Sequence, residues 1–490
     1  MTTQNATADG VSGATYEMKD SLVFGQTSQG TEIHATLLRF TRFLVAFEIY
    51  SPTLILRTSE VLSDFRIVLR DRTIYSGRAV IRTLVSTGLA TICEATLNED
   101  SWMDVEFTAE MIDDGRLENE FTSFVQEWQK HYRVVPEFKV VTADMQSYLS
   151  DLRLWLEQVE LEIRSSPSLD RSQLERDVIG KLANPIVRSI DAFIERFESI
   201  AGNLEPELEP IHRSYLRRQL HPLILSSPFA YRAYHKPLGF AGDYEVVDMM
   251  FRPPYEGGTL FAKVMNVWLL GQAPAQAHRN RVMYLKRRLL EEAARANALR
   301  KVARVFNLCC GPAVEVQQFL QEYGSVDQVH MTLLDFSEEA LQYLRRILAD
   351  MDKARGYHAP IQLLKKTVHQ VLKESWKSVV RSPNEQYDFV YCAGLFDYMS
   401  NQVCKRLMNT LYDMLAPGGL LLGSNLSAVM NSSHPFRYSM EYLLDWHLIY
   451  RDRQQLSALA PDKAPPDSVT ITAENTGVNV FIEVRKPTNA

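Results

Sequence analysis

At 490 residues, with 46% hydrophobic and 10% aromatic content, the chain is long enough for two or three domains with proper cores. A formal net charge of −7 gives no broad basic field, so nucleic acid is not expected as a partner. Five cysteines, an odd number with no C-x-x-C pair, argue against a disulfide framework and a structural zinc site, and no metal is expected.

Residues 1–20 read as a disordered tail, polar and small through Gly13, with no signal peptide in view. No apolar run approaches the about 20 residues that span a bilayer. The expectation is a soluble, cytoplasmic protein without a membrane span.

Residues 21–108 carry the periodicity of short strands. Ala35–Phe40, Leu44–Tyr50, Leu54–Arg57, Phe65–Leu69, Thr73–Leu84 and Leu89–Leu97 are rich in β-branched or aromatic residues. Gly25, Gly30, Pro52, Asp71, Gly77 and Gly88 punctuate them, a spacing that predicts a small β-barrel. The layout resembles PilZ-type barrels, the bacterial receptors of cyclic di-GMP, in its strand pattern and in the arginines Arg39 and Arg42. Receptor versions carry RxxxR and a later (D/N)xSxxG loop. Here the spacing is RxxR, and neither Ser59–Asp64 nor Ser86–Gly88 fits the loop. The expected barrel therefore does not bind cyclic di-GMP and serves interaction or dimerisation.

Residues 109–259 read as helical. Phe121, Phe124, Val125 and Trp128 recur at helical spacing, as do Met145 through Ile163 and Ile179 through Phe197. Such stripes make the core of a bundle or the seam of a homodimer. Ser165–Ser172 and Gly202–Pro210 mark breaks. The stretch Lys236–Glu245, KPLGFAGDYE, combines glycines, acids and aromatics, which is expensive to order unless it lines something. It is expected as a lid, with Asp243 in a catalytic role or Tyr244 against the substrate. The other reading is an interdomain turn capped by Asp243.

Residues 260–490 alternate strands and helices. Val302–Leu308 reads as a buried strand, followed by the small-residue turn Cys309-Cys310-Gly311-Pro312-Ala313 and a helix from Glu315. That is how a nucleotide-like cofactor is seated on a doubly wound sheet. Asp335 ends the next strand about 20 residues on, where an acid grips ribose hydroxyls. Strands follow at Ile361–Leu364, Tyr387–Cys392 and Leu420–Gly423, with a hairpin around Asn475-Thr476-Gly477.

The strand–Cys-Gly-Pro loop, Asp335, YDFVYCAG and LAPGGLLL together resemble the class I S-adenosylmethionine-dependent methyltransferases over about the last 200 residues. The resemblance implies an α/β Rossmann-like domain holding S-adenosylmethionine. The cofactor-binding set is then Asn307, Cys309, Gly311, Pro312, Asp335, Phe336, Val368, His369 and Ala393, with Arg279 or Arg281 of QAHRNR on the methionyl carboxylate. Asn307 stands at the family's usual acid, and Cys309 and Ala313 at two of its glycines. KPLGFAGDYE, QAHRNR and GLFDY also resemble bacterial hydroxy fatty acid methyl ester biosynthesis-type proteins, which implies carboxyl O-methylation of a hydroxy fatty acid.

Ligands of parallel sheets bind beyond the strand carboxyl ends, so Asp397 and Tyr398 are the expected catalytic pair. His447 is a further catalytic candidate, and Arg437 and Tyr438 are candidates for gripping substrate. The favoured function is methylation of a small-molecule acceptor. The alternative is a cyclic-di-GMP- or partner-responsive scaffold whose methyltransferase fold binds cofactor without turnover.

Overall fold

The computed structural model describes residues 21–49, 54–69, 72–86, 91–102, 115, 117–119, 121, 122, 125, 134–166, 170–299, 301–324, 326–355, 360–375, 386–427 and 435–488. The predicted tail, the 108/109 boundary, and Phe124 and Trp128 of the first helical stripe lie outside these residues.

Six antiparallel strands form a closed barrel: β1 (Ser21–Gln26), β2 (Glu32–Phe40), β3 (Leu44–Ile49), β4 (Val61–Leu69), β5 (Arg72–Ser86) and β6 (Thr91–Leu97), in the order β1-β2-β3-β6-β5-β4. Alternation drives it. Ile33, Ala35 and Leu37 of β2 point inward, joining Phe47, Phe65, Ile67, Tyr75 and Ile81 in one core. Closure leaves no unpaired strand edge. Of the expected arginine pair, Arg39 donates to Glu94 at 3.1 Å, and the Arg42 carbonyl accepts from Trp102.

One predicted strand is corrected. Leu54–Arg57 has no ladder partner and runs as irregular backbone between β3 and β4. Its apolar residues face other parts of the chain: Leu56 plugs the barrel, while Ile55 packs against the C-terminal domain.

The helical region contains α1 (Pro136–Ser165), α2 (Arg171–Ala201), α3 (Glu209–Ile224), α4 (Pro228–His235), α5 (Tyr244–Met249) and α6 (Leu260–Gly271). Proline starts α1, where its missing N–H is harmless, and the Asp170 carboxylate caps α2 through Gln173 N. The stripes predicted on α1 and α2 meet in a core around Phe138, Leu149, Ile190 and Phe197. Leu260, Phe261, Met265 and Trp268 of α6 bury themselves in this helical core, as does the later stretch Phe436–Leu448.

The C-terminal sheet takes β7 (Ala303–Leu308), β8 (Val329–Asp335), β9 (Ile361–Lys365), β10 (Tyr387–Cys392), β11 (Leu415–Leu426), β12 (Val469–Ala473) and β13 (Asn479–Arg485) in the order β12-β13-β11-β10-β7-β8-β9. The strands from β7 to β11 run parallel, and β13 is antiparallel to β11. Around them run α7 (Ala273–Ala298), α8 (Val314–Glu322), α9 (Glu338–Arg355), α10 (Val368–Ser375), α11 (Asn401–Asp413), α12 (Arg437–Leu443) and α13 (Arg453–Ser457). Apolar cores cover both sheet faces, which is why β7 and β10 read as near-continuous apolar runs. Among the described residues, no helix is long and apolar enough to cross a membrane.

The three regions interlock at Asp445. Its buried carboxylate accepts from Thr96 Oγ1 of β6 at 3.1 Å, pairs with Arg217 of α3 at 3.1 Å and meets His447 Nε2 at 3.1 Å. Burial would raise this carboxyl, but Arg217, His447 and Lys236 outweigh it and hold the group well below the usual carboxylate range. Lys236 is buried beside it and donates to the Leu444 carbonyl at 3.0 Å; burial pushes its amine down to about 7. Asp445→Ala leaves Arg217 and Lys236 without their buried counter-charge. It is expected to cost about 3–5 kcal/mol of stability in urea unfolding, and a loss under 1 kcal/mol would show the junction to be dispensable.

Candidate active site

The turn after β7 is built from alternating left-handed residues. Cys309, Gly311 and Ala313 have φ of 57°, 52° and 47°. A side chain at Gly311 would meet no atom within 4 Å and would project into open space. That space is a cavity of about 1570 Å³, its open mouth included, bounded by the carboxyl ends of β7, β8 and β10.

At one end lies Asp335. Its two carboxylate oxygens accept from Gly311 N and Ser337 N, each at 2.9 Å. Burial raises its carboxyl, against the pull of those two N–H groups. Phe336 follows it and lines the wall.

The floor is a buried polar network. Asn307 Nδ2 and Tyr391 Oη both donate to Glu315 Oε1, at 3.1 and 2.9 Å. Burial raises the Glu315 carboxyl. Facing it from α7 is Arg281, buried, its guanidinium lying over Gly394, where an added Cβ would sit 2.9 Å from Nη2. Its one side-chain hydrogen-bond partner among the described residues is His278, whose imidazole is driven well below its ordinary pKa by burial and by that guanidinium. With His278 neutral, the countercharges acting on Arg281 are the carboxylates of Asp397 and Glu315, which border the same cavity.

Asp397 and Tyr398 stand beside this cation on the turn after β10. Asp397 Oδ1 accepts from Leu426 N at 2.6 Å, and burial pushes its carboxyl up to about 6. Tyr398 Oη accepts from Trp446 Nε1 at 3.0 Å. Beyond them the wall turns apolar, with Phe229, Leu269, Phe436, Met440, Leu444 and Leu448.

Residues 305–419 match the family model described as a methyltransferase domain. This part of the chain is a methyltransferase domain. The match bears out the methyltransferase expected from the sequence. No curated protein matches the chain. Among solved structures, a possible exported protein of Bordetella parapertussis is 17% identical, with 65% of this chain and 100% of that one covered at a TM-score of 0.40. The magnesium protoporphyrin IX methyltransferase of Synechocystis PCC 6803 is 10% identical over 43% and 84%, at 0.31. The N-methyltransferase NodS of Bradyrhizobium japonicum WM9 is 13% identical over 50% and 98%, at 0.29. These scores are low, and nothing about the site rests on them.

Of the residues singled out in the sequence, Asn307, Cys309, Gly311, Pro312, Asp335, Phe336, Ala393, Asp397, Tyr398 and Tyr244 line this one cavity. Val368 and His369 line a neighbouring cavity between sheet and barrel, which shares Phe336 with the first. Five candidates lie elsewhere. Arg279 is turned away: it donates to the Met250 and Leu270 carbonyls at 3.2 and 2.9 Å, leaving its helix neighbour Arg281 in the cavity. Asp243 caps α5 through Glu245 N and Val246 N and pairs with Arg232 at 2.9 Å. This is the capping role of the alternative reading, although its neighbours Phe240, Gly242 and Tyr244 do line the cavity. His447 is locked between Asp445 and the barrel residue Ser59, which accepts from its N–H and donates to its carbonyl. Arg437 pairs with Glu441 at 2.7 Å, and Tyr438 is anchored to Glu198 through its backbone N–H.

Glu315, His278, Arg57 and Thr58 were missed as cavity residues. Glu315 had a readable signal, an acid in the first turn of the helix that follows the loop. The two barrel residues had none. In the methyltransferase turn, Ala313 sits in the left-handed region at a cost of about 1–2 kcal/mol. Ala313→Gly removes that strain and adds back chain entropy of about 0.4–1 kcal/mol. The expected result is unchanged or raised thermal stability, and a clear drop in the melting temperature would contradict the strain.

Proposed function

We propose that the chain transfers a methyl group from S-adenosylmethionine to a small-molecule acceptor. The observation that carries this reading is the pairing of Gly311 with Asp335: an open cradle at a glycine, next to a buried carboxylate fixed by two backbone N–H groups. The residues fit the cofactor. Asp335 would take the ribose hydroxyls, and Arg281 suits the carboxylate of the amino-acid end. When bound, the sulfonium supplies a methyl group already activated for displacement.

The chain's own contribution is positioning and exclusion of water. Phe240, Gly242, Tyr244 and Trp446 line the cavity and exclude water from part of it. Asp397, with its carboxyl near 6, is mostly ionised at neutral pH and placed to accept a proton from a hydroxyl or amine acceptor. The apolar wall beyond Tyr398 suits an acyl chain, which supports the finer reading of a hydroxy fatty acid as acceptor. A carboxylate acceptor would need no base, leaving Asp397 an orienting role. Incubation with methyl-labelled cofactor and 3-hydroxy fatty acids, read by mass spectrometry, tests this: a labelled methyl ester is expected, and its absence across chain lengths would remove this acceptor class. The barrel reads as a wall of the site and not as a receptor for cyclic di-GMP, since its arginines Arg39 and Arg42 are spaced RxxR and not RxxxR.

Two outcomes follow from the site. Asp335→Ala loses hydrogen bonds to a charged group worth about 1.5–3 kcal/mol each, so calorimetry should show S-adenosylhomocysteine binding at least tenfold weaker. Unchanged affinity would remove Asp335 from the cofactor site. If Asp397 is the base for a hydroxyl or amine acceptor, kcat/KM should fall about tenfold per pH unit below pH 6, as the carboxylate takes up its proton. A rate independent of pH from 5 to 8 would take that role from it.

A further inference from the structure

The irregular segment after β3 leaves the barrel and enters the methyltransferase cavity. Arg57 and Thr58 are both lining residues there, and they are 6% and 2% exposed. The Arg57 guanidinium lies 4.5 Å from the Phe336 ring centroid and 5.2 Å from that of Phe240. It therefore contacts both the end of β8 and the loop that carries Phe240. Its Nη2 donates to Ser28 Oγ at 3.0 Å, and the Glu60 carboxylate fixes the segment from behind by accepting from Arg57 N and Ser28 N, each at 3.1 Å. Thr58 N donates to the Tyr398 carbonyl at 3.1 Å. The barrel is thus bonded to the backbone of a candidate catalytic residue.

Two polar atoms of this segment remain unsatisfied. Among the described residues, Arg57 Nε, 3.7 Å from Glu60, has no hydrogen-bond partner, and neither has the buried Thr58 Oγ1. Buried donors without partners are rare because their lost hydration is not repaid. Here both belong to cavity-lining residues beside Asp335 and Phe336. A flat guanidinium stacked on an aromatic ring also extends that ring's surface, and a purine stacks on such a surface. Arg57 and Phe336 further form the partition between this cavity and the second one of about 1370 Å³, whose walls include Gln29, Thr31 and His34 of the barrel.

We propose that the barrel completes the nucleoside end of the cofactor site, with Arg57 and Thr58 as binding residues for the purine nucleoside. The barrel is then part of the active site and not an appended module. This rests on the cofactor reading given above, and it adds a binding surface that residues 305–419 do not contain.

The test uses the full chain, with calorimetry on two probes: S-adenosylhomocysteine and 5′-methylthioadenosine, which keeps the nucleoside and lacks the amino acid. Arg57→Met is expected to weaken both by the same factor, about tenfold. Arg57→Lys should not restore affinity, because an ammonium cannot stack as a guanidinium does. Thr58→Val, which changes shape little, should weaken both probes by a smaller common factor. Arg281→Met serves as the contrast and should weaken S-adenosylhomocysteine alone. Should Arg57→Met fail to fold, Thr58→Val decides. Full affinity for both probes in the folded variants overturns the inference, as does a loss confined to S-adenosylhomocysteine. If the unaltered chain binds neither probe, the cofactor reading itself fails and the inference falls with it.

Discussion

Asp445 is the charge on which the arrangement of the three regions depends. A lone buried carboxylate is untenable, and this one is satisfied only when β6, α3 and the segment after α12 are all in place. Its own backbone is left-handed, with φ of 52°, so the chain is bent to bring the carboxylate there. Removing any one of Thr96, Arg217 or His447 leaves the others around a group short of a partner. The electrostatic junction therefore fixes the barrel against the helical body, and that placement in turn presents Arg57 and Thr58 to the cavity.

The same logic applies to three predicted site residues. His447, Asp243 and Arg437 have the chemistry of catalytic groups, yet each is paired with a charged neighbour: Asp445, Arg232 and Glu441 respectively. A sequence shows that such a side chain is present but not which charge it neutralises. Arg279 and Arg281 make the point within one helix. Two residues apart on α7, they face different directions. One meets free carbonyls at Met250 and Leu270, the other an open cavity.

What was legible followed from local periodicity. The strand–turn–helix at Val302–Glu315, the acid ending β8 and the hairpin at Gly477 all declare themselves within a dozen residues, and the barrel's alternation does too. The turn kept its shape even where glycine is replaced, since Cys309 and Ala313 both adopt the left-handed backbone. What escaped was non-local. Leu54–Arg57 has the composition of a strand, and its apolar residues pack into cores. They do so against two different surfaces, Leu54 and Leu56 in the barrel and Ile55 against the C-terminal domain, and no one-dimensional pattern separates that from a ladder. Trp268 and its neighbours likewise pack backwards in the chain, into the core of the helices before them.

The hydrogen bonds between Ser59 and His447 join residues 388 positions apart. A barrel made first during synthesis must hold its projecting segment unpaired until nearly the whole chain has followed. Contacts of such separation form late and slowly, because the loop they close is long. In the interval, Ile55, Arg57 and Thr58 lack the partners that the C-terminal domain gives them in the finished fold. The final step of folding and the assembly of the cavity are then the same event, so a chain that has not docked its barrel has no finished site with which to act.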